Sequence, residues 1–540
     1  MAPTRIPPEE MEKALAGVEA VLAKAMAHAR ARDIDEQQVA VERLADAATR
    51  LRAACDLLEY AREAGGDYLE QTAVFAGELA SMTTRLVGDF GPEHGLEESD
   101  LPSELSSFIR EAVREDRVRA IGRSVAERRG RNDCPLEELE ELTRDAVREF
   151  ADTEIAPHAE RIHRNDELVP DDFLEKMSEL GYFGLSVPEE YGGSGMGNVP
   201  MVITTEELSR ASLAAAGSLI TRPEILTKAL LAGGTEEQKK SWLPRIASGE
   251  LMVGISVTEP DVGSDVASVR CRAEPTTLDG VEGWVINGPK AWCTFAGRAD
   301  ILSVLCRTDP DLSKGNRGLS LFIVPKERDY GHAFDVSQPS GGRIVGKADA
   351  TPGYRGMHSF TLNFENYFVP GENLIGGEKG IGRGFYLQMG GFAAGRLQTG
   401  GRACGVAQAA LEKTAEYVVD RVQFGGPLIG FELTQYKLGR MAVQVAAARA
   451  ITYAAARAMD GDERSAAPYA GQAKLLACDV AVAVTQEGQL LHGGWGYAEE
   501  YAISRYVVDA LVLPIFEGVK PILELKLIGR SLLAPPRGTT

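Results

Sequence analysis

The sequence predicts an α+β chain of several domains, in the order helices, helices, β-structure, helices. Apolar residues recur at three- and four-residue steps up to about residue 250; from 251 to 375 the chain reads as short runs rich in β-branched and aromatic residues. After Gly376 the helical period returns. The 540 residues exceed what a single hydrophobic core holds, so we expect four segments: 1–135, 136–250, 251–375 and 376–540.

The first segment carries "EEMEKALAGVEAVLAKAMAHARAR" and "VERLADAATRLRAACDLLEYAREAG", amphipathic stretches separated by glycine-containing breaks. "RRGRNDCP" is a polar, turn-rich boundary, after which helices resume at "LEELEELTRDAVREFADTEI". The β-segment contains "LMVGISV", "GWVINGPKAWCTF", "DILSVLCRT", "LSLFIVP" and "HSFTLNFENYFVP", with no helical pattern between them, which predicts a barrel or sandwich. Asn287–Gly288 reads as a tight hairpin turn. The last segment is long enough for a four-helix bundle.

Composition narrows the function classes. A net charge of -21 argues against nucleic acid and anionic membranes as partners. No apolar run is long enough to span a bilayer and the N-terminus has no signal-peptide core, so a cytoplasmic protein is expected, without membrane insertion. Seven cysteines stand singly, without a CxxC pair, which argues against disulfides or a zinc site; no metal is expected.

One residue stands out. In "LPIFEGVKPIL", Glu517 interrupts two apolar runs, and an unpaired carboxylate in such a setting costs several kcal/mol if buried. Upstream, "VTEPDVGSD" joins a strand to a turn carrying hydroxyls and acids, and "NGPKAWCT" places Trp292 and Thr294 two apart, on one face of a regular strand. Each alone reads as ordinary turn or core chemistry.

Taken in order with "DRVQFGGPL", "QLLHGGWGY" and "FEGV", these stretches resemble the acyl-CoA dehydrogenase family over roughly residues 136–535. The resemblance implies that family's fold: a helical domain, a β-barrel domain and a C-terminal four-helix bundle, here with an additional helical N-terminal extension. It implies FAD as cofactor, bound by Val257, Thr258, Ser264, Trp292, Thr294, Arg421, Phe424, Gln489 and Gly493, with Arg421 reaching the FAD of a neighbouring subunit. It implies a homodimer or homotetramer, and electron-transfer flavoprotein as electron acceptor. Glu517 falls on the family's catalytic glutamate, and Gly518 and Arg396 on positions beside the substrate; Ser264 also borders the substrate's pantetheine. The family's alternative base position is Gly395 here, in "FAAGRL". The expected reaction is α,β-dehydrogenation of an acyl-CoA thioester, with Glu517 taking the α-proton in a dry apolar site that keeps it basic. Val519 stands where a hydroxyl residue is frequent, Val508 replaces an arginine, and "GGRIVGKADATPGYRGMHS" is longer than the family's turn.

For the substrate, "GSLITRPEIL" places Arg222 in the segment that lines the family's acyl pocket. A buried arginine there calls for an anion, and a substrate carboxylate suits it; alternatively Arg222 faces solvent or pairs with Glu224. The long helical extension and "FEGVKPI" resemble the branch of the family that oxidises methylsuccinyl-CoA to mesaconyl-CoA in the ethylmalonyl-CoA pathway; that resemblance implies a short branched dicarboxylic acyl-CoA as substrate, which would fit an arginine-bearing pocket. The competing readings are a dehydrogenase for a short branched monocarboxylic acyl-CoA, a flavin oxidase or monooxygenase, and a non-catalytic nucleic-acid-binding flavoprotein.

Overall fold

The computed structural model describes residues 5–535. Five helices come first: α1 (Pro8–Ala29), α2 (Gln38–Ala64), α3 (Gly66–His94), α4 (Leu105–Ala112) and α5 (Glu115–Glu127). Six more follow before any strand: α6 (Glu138–Phe150), α7 (Ala156–Arg164), α8 (Asp171–Glu179), α9 (Asn198–Ala211), α10 (Thr221–Gly233) and α11 (Glu236–Ala247). Strands β1 (Val253–Ser256), β2 (Arg272–Leu278), β3 (Val281–Thr294), β4 (Ile301–Arg307), β5 (Leu319–Pro325), β6 (Ala333–Ser337), β7 (Arg343–Ala348) and β8 (Ser359–Pro370) form one curled sheet. Its order is β1-β4-β2-β3-β8-β7-β6, with β5 on β4. The sheet is followed by α12 (Gly384–Asp420), a short ribbon of β9 (Val422–Gln423) and β10 (Gly426–Pro427), α13 (Glu432–Gly461), α14 (Glu463–His492), α15 (Ile503–Ala510) and a final helical stretch over residues 520–533.

The chain divides into two compact units. One comprises residues 1–142 with 399–540, the other residues 143–398. In the first unit the N-terminal extension packs on the C-terminal helices. Gly122 of α5 and Gly439 of α13 sit where the two helices cross: a Cβ built on Gly122 would lie 1.9 Å from the Gln435 carbonyl oxygen, and one on Gly439 2.1 Å from that of Val118. Only glycine lets the two backbones approach so closely. Asn132 bonds both Gln71 and the Ala442 carbonyl, tying the end of the extension to α13.

In the second unit β4 and β5 are buried on both faces. Ile301, Leu305, Leu319, Leu321 and Ile323 pack with Leu226 and Leu230 of α10 and Leu243 of α11. The alternate residues Leu302, Val304, Phe322 and Val324 pack with Ile286, Phe360 and Phe364 inside the curl. Strands covered on both sides read as continuous apolar runs, as "LSLFIVP" does.

The sequence reading needs two corrections here. Asn287–Gly288 is not a hairpin turn: β3 runs through it, with a register shift between Ile286 and Gly288 at φ 131° for Gly288. The hairpin between β2 and β3 turns instead at Asp279–Gly280, whose φ values of 48° and 81° are the two positive values a two-residue type I′ turn requires. Nor does simple alternation hold at Trp292 and Thr294. A second register shift, between Lys290 and Cys293, leaves Trp292 at φ 57° and 60% exposed, while Thr294 is buried. A bulge re-aims side chains that the period-two rule would place together.

A buried ion pair holds the turn after β1 against β3. The fully buried Lys290 Nζ lies 3.0 Å from Glu259 Oε1 and donates to the Val257 carbonyl at 3.0 Å. Glu259 also accepts the backbone N–H groups of Arg270 and Cys271. Beside the pair, Ala291 N–H donates to the Thr258 carbonyl at 2.8 Å. Thr258 and Trp292 are therefore neighbours across a stapled joint.

Replacing Glu259 with Gln should destabilise the protein by about 3–5 kcal/mol, because it strands a buried ammonium; an unchanged denaturant midpoint would refute the staple. Gly122→Val should cost at least 1–3 kcal/mol by forcing α5 off α13, read as a lowered melting temperature.

Candidate active site

Glu517 sits in the first unit, in the turn after α15. Its backbone is left-handed at φ 57° and is followed by Gly518 at φ 107°. A non-glycine residue pays about 1–2 kcal/mol for that conformation, and the surrounding contacts sustain it. The fully buried Lys474 Nζ donates to the Gly518 carbonyl at 2.5 Å, Lys520 N–H donates to the Pro514 carbonyl, and Glu517 Oε2 accepts from Arg402 Nη2 at 2.7 Å and from the Thr399 hydroxyl. Thr399 and Arg402 stand three apart on α12, on one helix face. The Arg402 guanidinium, wholly buried, lies 4.5 Å from the centre of the Phe516 ring.

This corrects the expected setting of the carboxylate. The Glu517 side chain is indeed 8% exposed, but of the flanking apolar residues Ile515 is 59% exposed and Leu511 42%, while Leu513 is buried, so only part of the run turns inward. Its burial is matched by charge and hydroxyl. Sequence reading missed Arg402 and Thr399 because each lies more than 110 positions from Glu517.

Elsewhere in the first unit, Arg421 follows α12 and is exposed, and Phe424 caps the β9–β10 ribbon at φ 52° with 95% of its surface exposed. Gln489, near the end of α14, donates to the Gly496 carbonyl at 3.1 Å, closing a loop in which Gly493 takes φ 62°. Cβ atoms built on Gly425, Gly426, Gly493 and Gly494 would meet nothing within 4 Å. These residues line open surface.

In the second unit, Val257 is buried beneath the joint, Thr258 is half-buried above it, and Ser264 is exposed in the following turn. The indole of Trp292 stands out from the sheet, and the Thr294 hydroxyl meets that of Ser359 at 3.0 Å. Arg396 is half-buried and Gly395 buried on α12, with no carboxylate at the alternative base position.

Arg222 is the notable group of this unit. It is 5% exposed at the start of α10, donating to the Ser218 carbonyl at 2.8 Å and to the Tyr354 hydroxyl at 2.9 Å. Both partners are neutral, and no described carboxylate lies within ion-pair distance of it. The two ordinary roles for this arginine are thereby corrected: it does not face solvent, and Glu224 points instead to Ser186 and to Lys228 at 3.9 Å. Tyr354, buried at φ 60°, comes from the glycine-rich stretch longer than the family's turn.

Three family models match the chain in order: acyl-CoA dehydrogenase N-terminal domain over residues 137–250, middle domain over 254–367 and C-terminal domain over 382–533. The (2S)-methylsuccinyl-CoA dehydrogenase of Cereibacter sphaeroides is 44% identical over 398 residues, 74% of this chain and 70% of the relative. An acyl-CoA dehydrogenase of Bacillus subtilis is 36% identical over 73% of this chain and 97% of its own length. Butyryl-CoA dehydrogenase from Megasphaera elsdenii superposes with a TM-score of 0.67 at 30% identity, over 74% of this chain and all of that one. The chain belongs to the acyl-CoA dehydrogenase family of FAD-dependent oxidoreductases.

Proposed function

We propose that this acyl-CoA dehydrogenase oxidises a short branched dicarboxylic acyl-CoA, (2S)-methylsuccinyl-CoA to mesaconyl-CoA, with Glu517 as base. The observation that carries the substrate is Arg222: a buried guanidinium whose bonds go only to neutral oxygens is a site for an anion, because a buried charge without a counter-charge is costly. The free carboxylate of a dicarboxylic thioester supplies it in a forked, charge-assisted geometry. The match with the Cereibacter sphaeroides enzyme supports the same substrate. It leaves about a quarter of this chain and 30% of that enzyme outside the aligned stretch, whereas the Bacillus subtilis relative is matched almost entirely.

The residues present fit FAD. The exposed indole of Trp292, with the hydroxyls of Thr258, Ser264 and Thr294 on the same unit, offers an apolar face and hydrogen-bonding edges for a flat ring system. Arg421 and the open glycine loop at Gly493 suit an anionic diphosphate and its adenosine. When bound, FAD accepts the β-hydrogen as hydride. Glu517 takes the α-proton onto a carboxylate oxygen, and the Arg402 contact holds that carboxylate charged and oriented until it does. The backbone N–H of Glu517, beside Gly518, is assigned to the thioester oxygen, and Arg396 and Ser264 to the CoA moiety. Phe424 and Arg421, exposed on their ribbon, are assigned to a neighbouring subunit's FAD in a homodimer or homotetramer, and electron-transfer flavoprotein to the reoxidation step. Among the described residues no helix is long and apolar enough to cross a membrane.

Glu517→Gln should abolish α-proton exchange with solvent while FAD stays bound; exchange at the wild-type rate would move the base elsewhere. Arg222→Met should lower kcat/KM for methylsuccinyl-CoA about 10- to 100-fold, the value of a charged hydrogen-bonded contact, and change isobutyryl-CoA turnover much less. Wild-type preference for isobutyryl- or isovaleryl-CoA would overturn the dicarboxylate reading.

A further inference from the structure

Three polar side chains from distant parts of the second unit converge, none of them among the residues assigned to catalysis. Asp166 follows α7, His332 precedes β6, and His358 precedes β8; one ligand atom from each lies within 4.8 Å of the other two. His358 Nε2 is 3.1 Å from Asp166 Oδ1, and the two imidazole rings lie 4.5 Å apart, tilted by 40°. Arg355 Nε approaches the same carboxylate oxygen at 3.7 Å.

Both ring nitrogens of His358 have partners. Its Nδ1 faces the Gly356 carbonyl at 3.2 Å and its Nε2 faces the carboxylate, so both ring nitrogens meet acceptors. In the tautomer with Nδ1–H donating to the carbonyl, the Nε2 lone pair and the Asp166 carboxylate face one another as two ligands for a shared cation. A backbone carbonyl on the far nitrogen is also what orients a metal-bound histidine.

The backbone points the same way. Asp166 (φ 55°) and His358 (φ 47°) both hold left-handed conformations that glycine would occupy at lower cost. Asp166 does so just past the end of α7, where Glu167 N–H bonds the Ile162 carbonyl in a helix-closing arrangement usually completed by glycine.

We propose that Asp166, His332 and His358 bind a divalent transition-metal ion of the zinc class, with water completing its coordination. Two imidazoles and a carboxylate are the ligand set such ions prefer. The 3.1 Å separation between His358 Nε2 and Asp166 Oδ1 is close to the roughly 3.3 Å edge of a tetrahedron with 2.0–2.1 Å bonds. His332 is exposed and closes the third corner by side-chain rotation. The ion joins the end of α7 to the stretch containing Tyr354, and so fixes the hydroxyl that meets Arg222.

The test uses the full-length flavoprotein, stripped with a chelator and titrated with zinc chloride by calorimetry, followed by metal analysis after desalting. We expect about one zinc per chain, and affinity at least about ten-fold weaker in His332→Ala and in Asp166→Asn, with flavin content unchanged in the exposed-residue variant His332→Ala. Wild-type protein that retains no zinc overturns the proposal. So does His332→Ala protein that binds zinc as tightly as wild type.

Discussion

A charge removed from water must be met by another charge or by several hydrogen bonds, and the working parts of this molecule are arranged around that constraint. Lys290 and Glu259 satisfy it inside the β-domain and in doing so fix the joint between β1 and β3. Arg402 and Glu517 satisfy it in the helical bundle, across 115 positions of sequence. Arg222 satisfies it only in part, with two neutral oxygens. The first pair is closed upon itself, its carboxylate taken up by two backbone N–H groups as well as the ammonium. The other two are the pairings on which the proposed function rests.

The pairing of Glu517 bears on the base role proposed for it. An acid among apolar residues suggests a dry pocket, yet Leu511 and Ile515 turn outward and the carboxylate meets Arg402 and Thr399. The left-handed backbone at Glu517 makes this possible. It reverses the chain direction over two residues and aims the carboxylate at α12, while Lys474 holds the following carbonyl. Position and charge are thus set by long-range contacts, and removing either arginine or lysine acts on the geometry of the base before it acts on the chemistry.

Much of the fold was legible in the sequence. The change of hydrophobic period near residue 251 marks the entry into the sheet at Val253, and its return matches the start of α12 at Gly384. "LSLFIVP" reads as a buried strand because both of its faces are covered. Asn287–Gly288 misled for a specific reason: the same dipeptide that suits a type I′ turn also suits a bulge, and the true turn, Asp279–Gly280, lies a few residues earlier. The candidate site was legible where its residues belong to continuous motifs, as with Thr258, Trp292 and Glu517. Arg402, Thr399 and Tyr354 belong to no motif, and became visible only through the partners that folding brought to them.

The sequence by itself determined the order of helical and β-segments, the family, the cofactor and the glutamate, because periodicity and contiguous motifs are local properties of a chain. Tertiary structure decided which charge meets which. It placed Arg402 against Glu517, turned Glu224 away from Arg222, laid the Tyr354 hydroxyl on that arginine, and gathered Asp166, His332 and His358. The reason is physical: the electrostatic energy of a buried group depends on distances of a few ångströms between residues more than a hundred positions apart, and no local pattern encodes those distances.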